Sequence, residues 1–224
     1  MRRGTCLTTF GLMTAMLVGL AQAQEGLKPI EIKLPKPVFI GTPKNIPPGT
    51  TVEKETGKPR PPFMAPEGTT NVAAKKPVTS SCQEPIIGDL ELVTDGDKEA
   101  TDGSYVELPP GLQHVQLDLK ADYSIYAIVV WHYHMDPRVY RDVVVQVADD
   151  ADFISNVRTL FNNDHDNSAG LGIGKEREYF DTYEGRLIDA KGIKTRYVRL
   201  YSKGSTANDR NHYIEVEVYG KPTK

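Results

Sequence analysis

The chain has 224 residues, with 27 Lys and Arg against 30 Asp and Glu and a formal net charge of −3. That balance leaves no electrostatic footprint for nucleic acid or for an anionic membrane surface. Two cysteines, Cys6 and Cys82, are too few for a disulfide framework.

The first residues read as a secretory signal over 1–23. Arg2 and Arg3 give a positive start, Phe10 to Leu20 an apolar stretch, and Ala21-Gln22-Ala23 a small-residue cleavage site. Cleavage would leave a chain starting at Gln24, secreted or periplasmic. The apolar stretch is short for a bilayer span and no second one follows, so no membrane insertion is expected after cleavage. Cys6 would leave with the signal, making Cys82 the lone cysteine. The fold must then be held by its core, or by a core plus a metal.

Residues 24–70 carry most of the prolines, in LKPIEIKLPKP, IPPGTT and GKPRPPFMAPEG. Proline fixes φ and removes a backbone donor, so an extended stalk is predicted. Ile30–Leu34 alternates apolar and polar and could form one edge strand. Val38, Phe39, Ile40, Phe63 and Met64 are too apolar for a spacer and are expected to dock on the domain or on a partner protein.

From 71 to 220 the pattern is β, and 221–224 is a tail. His114–Leu119, Ile125–Trp131, Asp142–Ala148, Arg196–Ser202 and His212–Gly220 are short runs rich in Val, Ile and Tyr, several alternating with period two. Gly, Asp, Asn and Pro clusters separate them. The spacing predicts an all-β fold, an antiparallel β-sandwich or jelly roll. Phe161–Lys175 is a long polar connection, of the kind that is usually functional or disordered.

Five phrases occur in a telling order: NVAAKKPVTSS at Asn71–Ser81, DGDKEAT at Asp95–Thr101, VQLDL at Val115–Leu119, RYVRL at Arg196–Leu200 and EVEVYG at Glu215–Gly220. Together they resemble the discoidin, coagulation-factor V/VIII type C family of galactose-binding-like domains. The family often places Trp after the loop Thr, where this chain has Gly103 with Tyr105 nearby. Animal members tie their ends with a disulfide, so the single cysteine resembles bacterial members that serve as carbohydrate-binding modules. The resemblance implies a jelly-roll sandwich with ligand loops at one end.

It also implies a structural calcium held by Asp95, Asp97, Thr101 and Glu215. Calcium takes six to eight oxygen ligands in forgiving geometry, and Asp-Gly-Asp offers two carboxylates in one turn. Ala100 and Val106 rule out an EF-hand reading of this loop. Taken locally, the turn reads equally as a solvated acidic loop locked by Asp95.

Sugar binders need apolar faces for ring C–H groups and fixed polar groups for hydroxyls. Three loops offer them. Trp131–Asp142 gives His132, His134, Arg138 and Tyr140; Phe161–Asn167 gives Asn162; Lys203–Tyr213 gives Asn208, Asn211 and Tyr213. Each has a plainer reading as core or loop scaffold, and Trp131 reads more readily as core than as platform. Asp164-His165-Asp166 could hold a metal or support catalysis, but no zinc spacing, nucleophile elbow, phosphate loop or dinucleotide motif is present. The expectation is a secreted, non-catalytic carbohydrate-binding module. The alternative is a protein-interaction or adhesion subunit of an exported complex.

Overall fold

Val, Ile and Leu at alternate positions give each main strand one face to bury, and the strands pair antiparallel throughout. The computed structural model describes residues 1, 26–38, 51–54 and 56–223. The predicted signal, and Phe39 and Ile40, lie outside them. The strands are β1 (Leu27–Pro29), β2 (Met64–Pro66), β3 (Thr70–Asn71), β4 (Val78–Ser80), β5 (Val106–Leu108), β6 (Gln113–Trp131), β7 (Val144–Ala148), β8 (Arg158–Asn162), β9 (Arg186–Ser202), β10 (Asn211–Tyr213) and β11 (Glu215–Pro222), with one 3-10 turn at Leu90–Thr94. The order β3-β11-β6-β9-β7-β8, with β4 on β6, makes the main sheet, while β5 with β10 and β1 with β2 form small ribbons.

Two long strands turn this sheet into a sandwich. β6 and β9 pair along their whole length, but the register breaks between Asp118 and Tyr123. Lys120 (φ 69°) takes a left-handed conformation there, and Lys191 (φ 55°) does so at a second break, where Ile125 and Ala127 face Ile193 and Asp189. Asp118 Oδ1 accepts the Lys120 N–H (2.8 Å) and Asp189 Oδ1 the Lys191 N–H (2.9 Å), which is the local bond that makes such a kink tolerable. On one side of the bend β6 pairs with β4 and β9 lies beside β7; on the other, β6 pairs with β11. Val115, Leu117, Val145, Val147, Val198 and Leu200 from one half meet Ile128, Val130, Val216 and Val218 from the other in one core. The bend also brings both ends of β6 to the same end of the sandwich, where the connections after β6, β8 and β9 gather.

The opening phrase has a structural job. Asn71 Oδ1 accepts N–H bonds from Ala73 (3.0 Å) and Val218 (3.2 Å), tying the start of the domain to its last strand.

Several boundaries differ from expectation. His114–Leu119 and Ile125–Trp131 are two halves of β6, because the kink preserves pairing. The run at His212–Gly220 splits into β10 and β11, which pair with different strands. Phe161 and Asn162 belong to β8 and not to the long loop. Ile30–Leu34 is not a strand; β1 ends at Pro29, although the Ile30 N–H still donates to the Phe63 carbonyl (2.9 Å). In this register the next partners are Pro62 and Pro61, which have no N–H to donate, and the pairing stops there.

The described part of the proline-rich stretch lies along the sandwich. Ile30, Ile32 and Phe63 pack on Ala127, Val129, Trp131, Ile214 and Tyr219, and Tyr219 Oη donates to the Glu31 carbonyl (3.2 Å). Val52 packs with Val139 and Phe180. Val38 and Met64 remain exposed.

Candidate functional site

Most residues expected to touch a ligand are instead buried in a hydrogen-bonded scaffold beneath the loops. Trp131 is wholly buried and its indole N–H donates to the Tyr183 carbonyl (2.9 Å). Next to it, His132 Nδ1 meets Asp181 Oδ1 (3.1 Å) and its ring stacks on Tyr140 at 4.4 Å. Tyr140 Oη meets His212 Nδ1 (2.9 Å), and His212 Nε2 meets Glu107 Oε2 (3.0 Å), while Arg210 pairs with the other Glu107 oxygen. His212 is held as a neutral imidazole, its pKa lowered to about 4 by burial and then by the Arg138 charge. His134 is buried on the Lys98 carbonyl (3.0 Å), and burial lowers its pKa too.

Asn211 has no exposed surface. Its Nδ2 donates to the carbonyls of Pro109 (2.9 Å) and Gly111 (3.0 Å), and its Oδ1 accepts from Ser202 Oγ and the Gly204 N–H, both at 2.8 Å. That is the full capacity of an amide, so nothing is left for a ligand. Tyr213 is likewise buried, its hydroxyl donating to the Leu200 carbonyl (3.1 Å). Asn162 donates to the Gly172 carbonyl (2.9 Å) and accepts from the Asp164 N–H (2.8 Å), shaping the following loop. Arg138 pairs bidentately with Asp136 (2.6 and 2.9 Å) and lies 4.3 Å over the half-buried Tyr133 ring. Asn208 alone of the eight is exposed, with Oδ1 accepting the Arg210 N–H (3.0 Å).

The acidic turn folds as an Asx lock. Asp95 Oδ1 accepts the Asp97 N–H (2.7 Å), and Asp97 accepts from the Glu99 N–H (2.9 Å) and Ser104 Oγ (2.9 Å). Thr101 is exposed, with its hydroxyl 3.2 Å from Ser104 Oγ. Glu215 reaches this turn from β11: Oε2 accepts the Gly96 N–H (3.1 Å), and Oε1 is buried with no hydrogen-bond partner. Burial pushes the Glu215 carboxyl up to about 9, and the neighbouring Glu217 adds to it. Beside them Lys98 Nζ, itself buried, pairs with Glu217 (2.8 Å) and lies 5.3 Å from the Trp131 ring. An orphaned carboxylate oxygen next to two acidic side chains suits a cation. The Lys98 ammonium already supplies part of the countercharge.

Three carboxylates do converge elsewhere. Asp142, Asp164 and Asp166 bring oxygens within 4.8 Å of one another. Asp164 is spent on the loop, accepting the Ser168 (3.0 Å) and Ala169 (2.8 Å) N–H groups. His165 Nε2 bonds the Glu176 carbonyl (2.9 Å) and its Nδ1 the Thr51 hydroxyl (3.3 Å), so this histidine pins the N-terminal stretch to the loop.

The sequence reading missed the open feature at this end, a cleft of about 290 Å³. One wall is Glu53, Lys54, Thr56, Lys58 and Arg60 of the proline-rich stretch. The other is the start of β9 and the residues before it, with Tyr179, Phe180 and Arg186. Arg60 ties the walls together, donating to the Gly185 (2.8 Å) and Glu184 (2.9 Å) carbonyls, and Arg186 pairs with Glu53. The dense aromatic and charged run EREYFDTYEGR at Glu176–Arg186 was the available signal.

No protein-family model and no curated protein sequence matches the chain. Solved structures do. The module CpGH89CBM32-4, produced by Clostridium perfringens, in complex with GlcNAc-alpha-1,4-galactose, shares 15% identity over 69% of this chain and 96% of that one, with a TM-score of 0.50. A family 89 glycoside hydrolase from Clostridium perfringens in complex with 2-acetamido-1,2-dideoxynojirmycin shares 19% identity over 68% of this chain, with a TM-score of 0.50. The match spans only 15% of that hydrolase. A Streptococcus pneumoniae fucose-binding module is 16% identical over 69% of this chain and 98% of that one, with a TM-score of 0.48. At these identities the likeness is one of fold: the matched 68–69% of this chain has the antiparallel β-sandwich fold of these modules.

Proposed function

We propose that this chain is a secreted or periplasmic, non-catalytic carbohydrate-binding module. The observation that carries the reading is the cleft at the loop end of a sandwich whose fold is that of the carbohydrate-binding modules above. Its walls combine aromatic and apolar side chains with fixed polar donors, and its volume approaches the roughly 300 Å³ at the lower end of ligand pockets. Binding would be shallow, since one such cleft covers little of a sugar. Of the eight loop residues of the sequence reading, His132 reaches the cleft's surroundings, through Asp181 next to Phe180, and the others bond elsewhere in the loop scaffold.

A calcium ion, if taken up, would be held by Glu215 with Asp95, Asp97 and Thr101. It would neutralise the carboxylates that crowd the start of β11, so that Glu215 and the 95–101 turn brace the loop end. A screen of the full chain against immobilised glycans, with calcium and with chelator, tests the reading. Retention on a defined sugar class supports it; a folded chain that retains none refutes it.

A second reading, a protein-interaction subunit, draws on the exposed Leu34, Val38 and Met64 of the proline-rich stretch. A co-purifying partner lost when those three are made polar would favour it.

A further inference from the structure

Two residues that line the cleft carry a buried donor with no acceptor among the described residues: the Tyr179 hydroxyl and the Arg186 Nε–H. They are neighbours, for the Arg186 guanidinium lies 4.7 Å from the centre of the Tyr179 ring. The Arg186 Nε–H can only donate. The described lining residues include four cations, Lys54, Lys58, Arg60 and Arg186, against two acids, Glu53 and Glu184. This local excess stands on a chain of net charge −3. The two acids are engaged, Glu53 on Arg186 and Glu184 on the Arg60 backbone N–H (3.2 and 3.1 Å). Phe180 and Leu187 supply apolar surface between these groups.

A neutral sugar offers hydroxyls, each needing both a donor and an acceptor. A carboxylate or a sulfate ester offers acceptors only. A buried donor left unpaired has lost its water without a replacement bond, so a ligand acceptor that reaches it recovers that cost. A charge-assisted bond to a guanidinium is stronger still.

We propose that the cleft between Lys58 and Arg60 on one side and Tyr179 and Arg186 on the other takes an acidic saccharide, seating its carboxylate or sulfate ester on Tyr179 Oη and Arg186 Nε. This rests on the carbohydrate-binding reading and specifies its ligand. The proline-rich stretch then forms one wall of the site and is not a spacer.

The test is calorimetric titration of the full chain with three probes, an oligogalacturonate, a galactose sulfate and a matched neutral galacto-oligosaccharide, plus inorganic sulfate as control. At least one acidic sugar should bind about tenfold or more tighter than the neutral one. Tyr179→Phe, which removes only a hydroxyl, should weaken acidic-sugar binding about tenfold without lowering the melting midpoint. Arg186→Gln should do so more strongly, and its melting curve reports whether it folds. Equal affinity for neutral and acidic sugars overturns the inference and leaves the module reading standing, as does an unaffected Tyr179→Phe. Inorganic sulfate binding as tightly as the sugar sulfate overturns it as well. Failure of every saccharide to bind a folded chain overturns both.

Discussion

Asn211 separates a structural from a ligand-binding account of the loop before β11. In Asn211→Ala the buried Gly204 N–H and Ser202 hydroxyl lose a partner 2.8 Å away, and the carbonyls of Pro109 and Gly111, nearer the surface, lose one 2.9–3.0 Å away. A buried polar group stripped of its partner costs about 1–3 kcal/mol. Some of the four will repair through water or through one another, so about 3–5 kcal/mol is expected in total. For a domain of this size that lowers the melting midpoint by about 10 °C. Asn211→Asp should be no better, because it sets a carboxylate oxygen against the two carbonyls. The assay is urea denaturation beside saccharide binding measured well below the melting midpoint. Loss of stability with binding retained fits the scaffold role. Unchanged stability with lost binding would return Asn211 to the ligand and refute the reasoning.

Other positions give independent tests. A Cβ at Gly185, where φ is +64°, would lie 2.6 Å from Trp131 Cε2, so Gly185→Ala should destabilise by about 1–3 kcal/mol; an unchanged midpoint would contradict the packing. His212 has its folded pKa depressed from 6.5 to about 4, so its contribution is present above pH 6.5 and is lost as pH falls toward 4. Glu215 works in the opposite sense, its raised pKa of about 9 favouring the fold at low pH. The difference between wild type and His212→Gln cancels Glu215, and that stability gap should narrow between pH 6.5 and 4; a constant gap would count against a buried neutral His212. If calcium is held at Glu215, saturating calcium at about 100 times its Kd should add about 2.7 kcal/mol, reversibly with chelator and not in Glu215→Gln. Identical melts with and without calcium would remove the ion. Phe63→Ser should loosen the proline-rich stretch and speed its trimming by protease; an unchanged cleavage rate would argue that Phe63 does not anchor it.

The fold was legible because its signals are local. Period-two runs mark strands wherever they lie, and the Asn71 phrase carries its own bond to Val218. Kinks were not legible: Lys120 and Lys191 adopt positive φ through tertiary pairing of β6 with β9, so two runs became one strand. β5 was missed, and β10 was merged with β11, because three residues carry too little pattern. The site was legible only in part. His132, Tyr140, Asn211 and Tyr213 are polar residues that the sequence pattern assigns to loops, and sequence does not tell whether a ligand or another side chain takes their hydrogen bonds. Here Asp181, His212 and Ser202 take them, from 9 to 72 positions away in the chain. The cleft was hidden for a similar reason, since one wall comes from a stretch whose prolines read as a stalk.

The central claim is that a saccharide binds the loop end of this sandwich. Backbone amide NMR of the full chain, titrated with the oligosaccharide retained best in the glycan screen, tests it most directly. The account predicts saturable shifts at Lys58, Arg60 and 179–187, including Tyr179 and Arg186, with Asn211 and Tyr213 little moved. Shifts confined to other surfaces, or none with any saccharide, would contradict it.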